Sequence, residues 1–154
     1  MTQTFPRQKA ATRNFQLGAP RAFQITQSAT QVTFLRSEHG QDAVNSLWVY
    51  DIAKNMERKL ADPKTLLTGA EDIPAAERAR RERMRETTSG ITSYSADSTG
   101  TKIVFALSGL LFFVDSETNS TTELQVTGPI IDPQLSPDGK YIAWTTGKDL
   151  LICN

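Results

Sequence analysis

Apolar residues along this chain fall into short runs, each bounded by turn-forming residues. The clearest unit is Leu135-Ser136-Pro137-Asp138-Gly139-Lys140-Tyr141-Ile142-Ala143-Trp144. It reads as a strand end, a tight turn and a second strand. Pro137 presets φ, Asp138 can bond its own backbone, and Gly139 accepts a positive φ. The unit recurs with a longer turn from Tyr94 to Phe105, and in more degenerate form from Ile25 to Phe34. Each copy precedes an apolar run: Leu47–Asp51, Leu110–Asp115 and Asp149–Ile152. The pattern predicts antiparallel strands near 22–27, 31–36, 46–52, 101–107, 110–115, 121–126, 131–135, 140–145 and 149–152.

Spacing identifies the kind of repeat. About 40 residues separate Phe105 from Trp144, close to the ~40–45 of a four-stranded propeller blade. About 70 separate Phe34 from Phe105, which is one period plus an insertion of roughly 30 residues, visible as a composition shift between Asp62 and Thr88. The runs Ile103–Leu107 and Leu110–Val114 do not alternate with polar residues, so both of their faces must be covered. Blades stacked between neighbours meet that demand; an isolated β-sandwich is the alternative. The expected fold is mainly β: a partial β-propeller of about two and a half four-stranded antiparallel blades with one inserted charged α-helix. Blade 1 is placed at about 20–62, the helical insertion at 70–87, blade 2 at 90–127 and a partial blade 3 at 130–154. A ring needs at least ~4 blades, so the expectation is the N-terminal piece of a longer protein.

Within the insertion, Glu71-Asp72-Ile73-Pro74 opens a helix, with Pro74 tolerated in the first turn. Ala75 to Glu86 follows, without a β-branched residue. Glu77 stands four residues before Arg81, and Arg78 four before Glu82, giving supporting pairs. With so few apolar residues the helix is expected on the surface, either as a solvated decoration or as an arginine-bearing flap over a cavity.

Charge and composition exclude several classes. Lys and Arg number 17 against 17 Asp and Glu, so no field favours nucleic acid or an anionic membrane. Cys153 is the only cysteine, which rules out an internal disulfide and a cysteine-based metal cluster. No metal or other cofactor is expected. The segment from Met1 to Phe15 lacks the apolar core of a secretory signal, and the apolar runs fall far short of the ~20 residues of a membrane helix. A cytoplasmic location is the simplest expectation.

Taken together, the Leu135–Lys140 and Tyr94–Asp97 signatures, with the charged stretch Glu77–Arg83 just before Gly90-Ile91-Thr92-Ser93-Tyr94-Ser95, resemble a known family. They are similar to the N-terminal region of bacterial dipeptidyl peptidase IV-type enzymes, members of the prolyl oligopeptidase family of serine peptidases. The resemblance runs from about Phe15 to Ile152 and rests more on the charged helix than on the widespread Ser-Pro-Asp-Gly hairpin. It implies an eight-bladed propeller capping an α/β-hydrolase domain that removes N-terminal dipeptides, preferably after proline. No G-x-S-x-G elbow occurs here, and His39, the single histidine, reads as a solvated turn residue, so no catalytic residue is assigned. The family's paired glutamates for the substrate ammonium are also absent, since no Glu-Glu dipeptide occurs. The resemblance leaves an arginine near the substrate, with Arg81, Arg83 and Arg85 as candidates.

Two function classes therefore stand. One is a non-catalytic portion of a dipeptidyl peptidase that serves access and binding of peptide substrates. The other is a non-enzymatic propeller acting as a protein-interaction platform, as in periplasmic translocation-associated propellers. Exposed blade edges, with Ile142 and Trp144 expected on a bare apolar face, further predict a homo-oligomer through residues 140–154.

Overall fold

The computed structural model describes residues 4–69 and 71–154. Its strands form three sheets that follow one another along the chain. The first contains β1 (Arg21–Ile25), β2 (Gln31–Ser37), β3 (Val44–Asp51) and β4 (Met56–Ala61), and a short β5 (Ser89–Gly90) pairs in parallel with the start of β3. The second contains β6 (Ser95–Ala96), β7 (Lys102–Leu107), β8 (Leu110–Asp115) and β9 (Ser120–Leu124). The third contains β10 (Ile131–Leu135), β11 (Ile142–Thr145) and β12 (Leu150–Cys153). Every neighbouring pair apart from β3 and β5 is antiparallel. Among the described residues three helices accompany the strands instead of the single one expected: α1 (Phe5–Ala11), α2 (Pro63–Leu66) and α3 (Ala75–Arg83).

The repeating turn has the same construction in each sheet. The N–H of Ala29, Gly100 and Gly139 donates to the carbonyl of Thr26, Asp97 and Ser136 at 2.8, 3.1 and 2.8 Å. All three donors have positive φ, at 53, 73 and 65°. The side chain that begins the turn then bonds the strand after it. Thr26 Oγ1 accepts from the Gln31 N–H at 3.2 Å, Asp97 Oδ1 from Lys102 at 3.1 Å, and Ser136 Oγ from Tyr141 at 3.0 Å. This is the local bonding that makes Ser, Thr and Asp favourable at turns. Backbone bonds also link turn to turn. The Gln27 N–H donates to the Ser98 carbonyl, and the Ser98 N–H to the Pro137 carbonyl, each at 3.0 Å. Equivalent positions of successive repeats are thus tied in a row.

Both faces of the middle sheet are buried, as its unbroken apolar runs require. Ile103, Phe105, Leu107, Phe112 and Val114 pack with Leu35, Leu47 and Val49 of the first sheet. Val104 and Leu111 face the other way, into a cluster with Ile130, Leu135, Ile142 and Trp144. The last two residues correct the expectation of a bare face at the end of the chain. Phe105 and Trp144 are equivalent in the repeat, and each points back at the preceding sheet. The exposed large apolar side chains here are Tyr141, just before β11, and Leu150 and Ile152 of β12, which lie out of phase with Trp144. Strand periodicity of two makes that phase decisive.

At the other end of the stack, the face of the first sheet turned away from the second carries Phe34 and Trp48. The Arg36 guanidinium lies 4.4 Å from the Trp48 ring centroid and forms a two-point ion pair with Glu57, at 3.0 and 2.6 Å. The long stem and planar head cover aromatic surface while the charge stays paired.

Tyr94 locks the first two sheets together at their inner ends. Its Oη donates to the Ala22 carbonyl at 2.7 Å and lies 3.0 Å from Thr33 Oγ1. Burial disfavours the phenolate and pushes its pKa up to about 12 from 10.0. The folded state therefore holds this proton more tightly than the unfolded chain. Its contribution is complete below pH 10.0 and is lost as pH rises toward about 12. Urea unfolding at pH 8, 10 and 11 should show an alkaline loss that reaches about 1 kcal/mol by pH 11 and is absent in Tyr94→Phe. An identical alkaline loss in both proteins would place its origin elsewhere.

Candidate functional site

The first strands of the three sheets converge. Tyr94, just before β6, bonds Ala22 in β1, and Ser95 Oγ of β6 accepts from the Leu135 N–H of β10 at 3.0 Å. The segment between β4 and β5 lies at the end where these strands begin. The Pro74 ring sits against the turn between β7 and β8, only 2.7 Å from where a Cβ on Gly109 would stand. Arg21, the first residue of β1, pairs with Glu86 at 3.2 Å.

Helix α3 is shorter than the sequence suggests. Pro74 is its N-cap, and the helix ends at Arg83. The expected Glu77–Arg81 pair forms at 2.9 Å, whereas Arg78 donates to the Ile73 carbonyl at 3.2 Å in place of Glu82. The helix lies on the surface, with one exception that its composition hides: its buried residue is Arg81.

Arg81 Nη2 pairs with Glu71 Oε1 at 2.7 Å, and Glu71 Oε2 accepts the Gly90 N–H at 3.0 Å. The same Nη2 reaches the Gly90 carbonyl at 3.4 Å, a longer contact. Arg81 and Glu71 together bracket both backbone groups of Gly90. Glu77 receives Arg80 at 2.7 Å as well as Arg81. Burial raises its pKa, but the two guanidinium groups outweigh burial and hold the carboxyl below its ordinary value.

The three candidate arginines therefore have different surroundings. Arg81 is committed to carboxylates inside the insertion. Arg83 and Arg85 are exposed, and neither side chain makes a hydrogen bond or ion pair among the described residues. Arg80, which the sequence reading passed over, lies toward the converging strands and donates to Thr92 Oγ1 at 3.3 Å. Glu77 is the main group that favours its protonated form, and Asp132 of β10 adds to this through space.

A second cluster stands at the start of β1. Arg21 bonds both Glu86 and Thr88, and Asn45 Nδ2 donates to Thr88 Oγ1 at 2.8 Å. Burial raises the Glu86 carboxyl, while bonds from Thr88 and then Arg21 bring it below its ordinary value. A cavity of about 350 Å³ opens beside this cluster, lined by Phe15, Leu17, Pro20, Arg21, Asn45 and Thr88. His39 is exposed in the loop between β2 and β3, and its Nδ1 accepts from the Gln41 N–H at 3.3 Å. No group of three or more His, Cys, Asp or Glu side chains among the described residues is placed to hold a metal ion. None of the described helices is long and apolar enough to cross a membrane.

Similar architectures occur among solved structures. TolB from Acinetobacter baumannii aligns with 88% of this chain at 13% identity and a TM-score of 0.53. A structure from a study of two prolyl endopeptidases aligns with 90% at 15% identity and a TM-score of 0.59. The β-propeller domain of Cps50 (Swd1) from Myceliophteria thermophila aligns with 88% at 14% identity and a TM-score of 0.52. The chain has a β-propeller fold. It spans 29%, 19% and 35% of those three structures, so they extend well beyond the matched region. No family model matches the sequence.

Proposed function

We propose that this chain is the N-terminal propeller portion of a dipeptidyl peptidase IV-like serine peptidase, non-catalytic by itself, serving substrate access and binding. The observation that carries this reading is the charged insertion at the end where the first strands of the blades converge. It sets Arg83 and Arg85 free at the surface and Arg80 toward the strands, where a propeller's central channel would open. Unpaired guanidinium groups suit the carbonyls and carboxylates of a peptide. The propeller fold shared with the prolyl endopeptidase structure is compatible with the same role.

The test begins with the coding sequence that surrounds this segment. The present chain should not turn over a chromogenic Xaa-Pro substrate, because no serine, threonine or cysteine side chain among the described residues is hydrogen-bonded to its single histidine, His39, whose ring accepts from the Gln41 N–H. The complete protein should, and Arg83→Ala with Arg85→Ala should raise its KM about tenfold or more with little change in kcat. A complete protein built of blades alone and silent on such substrates would favour the interaction platform instead.

A further inference from the structure

We propose that Arg81 is a positioning residue: the buried anchor that clamps the helical insertion to the blades and so sets where its free arginines stand. An ordinary surface helix docks through an apolar stripe. Helix α3 has none, and no other residue of it is buried. Its attachment is polar. Glu71 and Arg81 hold each other at 2.7 Å and take both backbone groups of Gly90, at 3.0 and 3.4 Å. Gly90 belongs to β5, which is paired to Asn45 and Val44 of the first sheet. Through Gly90 the clamp ties the insertion to a blade.

A contact of this kind releases differently from a core. Once Arg81 is gone, Glu71 and Glu77 regain solvation if the helix swings out, whereas the apolar clusters between sheets contain neither residue. The insertion should then open as a local unit with the blades intact. The clamp itself stands independently of the peptidase reading. Only the statement that it aims arginines at a peptide rests on that reading.

Trypsin reports the opening directly, because Arg78, Arg80, Arg83 and Arg85 offer cleavage points within or just after the helix. Cleavage of a transiently open segment follows its open population. In the 154-residue chain, Arg81→Gln should raise cleavage after Arg85 at least tenfold, and Glu71→Gln should raise it in the same direction. Arg83→Gln, which alters an exposed and unpaired residue, should leave it within twofold. The tryptophan fluorescence of the blades should keep its wild-type urea midpoint within a small margin in all three variants. Equal cleavage in Arg81→Gln and Arg83→Gln would overturn the proposal. So would a blade transition lost together with the helix in both Arg81→Gln and Glu71→Gln, since the insertion would then be part of the core. Failure of the peptidase reading would appear only as missing turnover in the complete protein and would leave this result unchanged.

Discussion

Replacing Phe105 by alanine is expected to lower the unfolding free energy by about 3–5 kcal/mol, a large share of the stability of a domain this size. Phe105 is fully buried between the first two sheets, with its ring stacked on Phe112 at a centroid distance of 5.4 Å. Truncation loses the transfer of the ring and leaves a cavity between two rigid sheets that cannot collapse into it. The repeat supplies the control. Phe34 holds the equivalent position in the first sheet, but its surroundings are Phe23, itself exposed, and the Arg36 stem. Side chains there can relax into the gap, so Phe34→Ala should cost about half as much. Urea denaturation followed by circular dichroism measures both. Equal losses would mean that the outer face of the first sheet is as tightly packed as the interior.

Gly100→Ala is expected to cost about 2–4 kcal/mol. Gly100 sits in the second repeat turn at φ 73°, where a Cβ is strained. That Cβ would also lie 2.4 Å from Thr26 Cγ2 of the neighbouring turn. Thr26 cannot rotate aside without giving up the N–H groups of Thr30 and Gln31 that its hydroxyl accepts. Gly139 provides the contrast. Its φ is 65°, but the nearest obstacle at 2.8 Å is Cδ of Lys102, part of a flexible stem. Gly139→Ala should therefore show little more than the backbone strain, about 1–2 kcal/mol. The difference between the two variants isolates the packing of one turn on the next. If both cost the same, the turns do not press on each other in solution.

Much of this architecture is carried by local chemistry. The Ser-Pro-Asp-Gly turn, its two relatives and the apolar runs around them each specify a hairpin within a few residues, and their recurrence specifies a stack. Unbroken apolar runs at Ile103–Leu107 and Leu110–Val114 also require that the middle sheet be covered on both sides. The charged insertion declares a helix through its composition alone. Other features depend on partners distant in sequence. Strand β4 begins Met56-Glu57-Arg58-Lys59, with no apolar alternation, and becomes a strand because β3 presents it with an edge. The phase of Trp144 could not be read from its run. Facing the previous sheet or the next differs by one residue of register, and the neighbouring sheet decides it. The arginines show the same limit most sharply. Arg81, Arg83 and Arg85 are alike in sequence, each within a helix turn of a glutamate. Only the folded chain brings Glu71 and the Gly90 peptide to the first of them, burying it as an anchor while the other two stay free. Short-range propensity determines most of the hairpins and the charged helix; whether a polar segment such as β4 joins a sheet, and which face, which edge and which charge is enclosed, depend on long-range contacts that exist only once the sheets have packed.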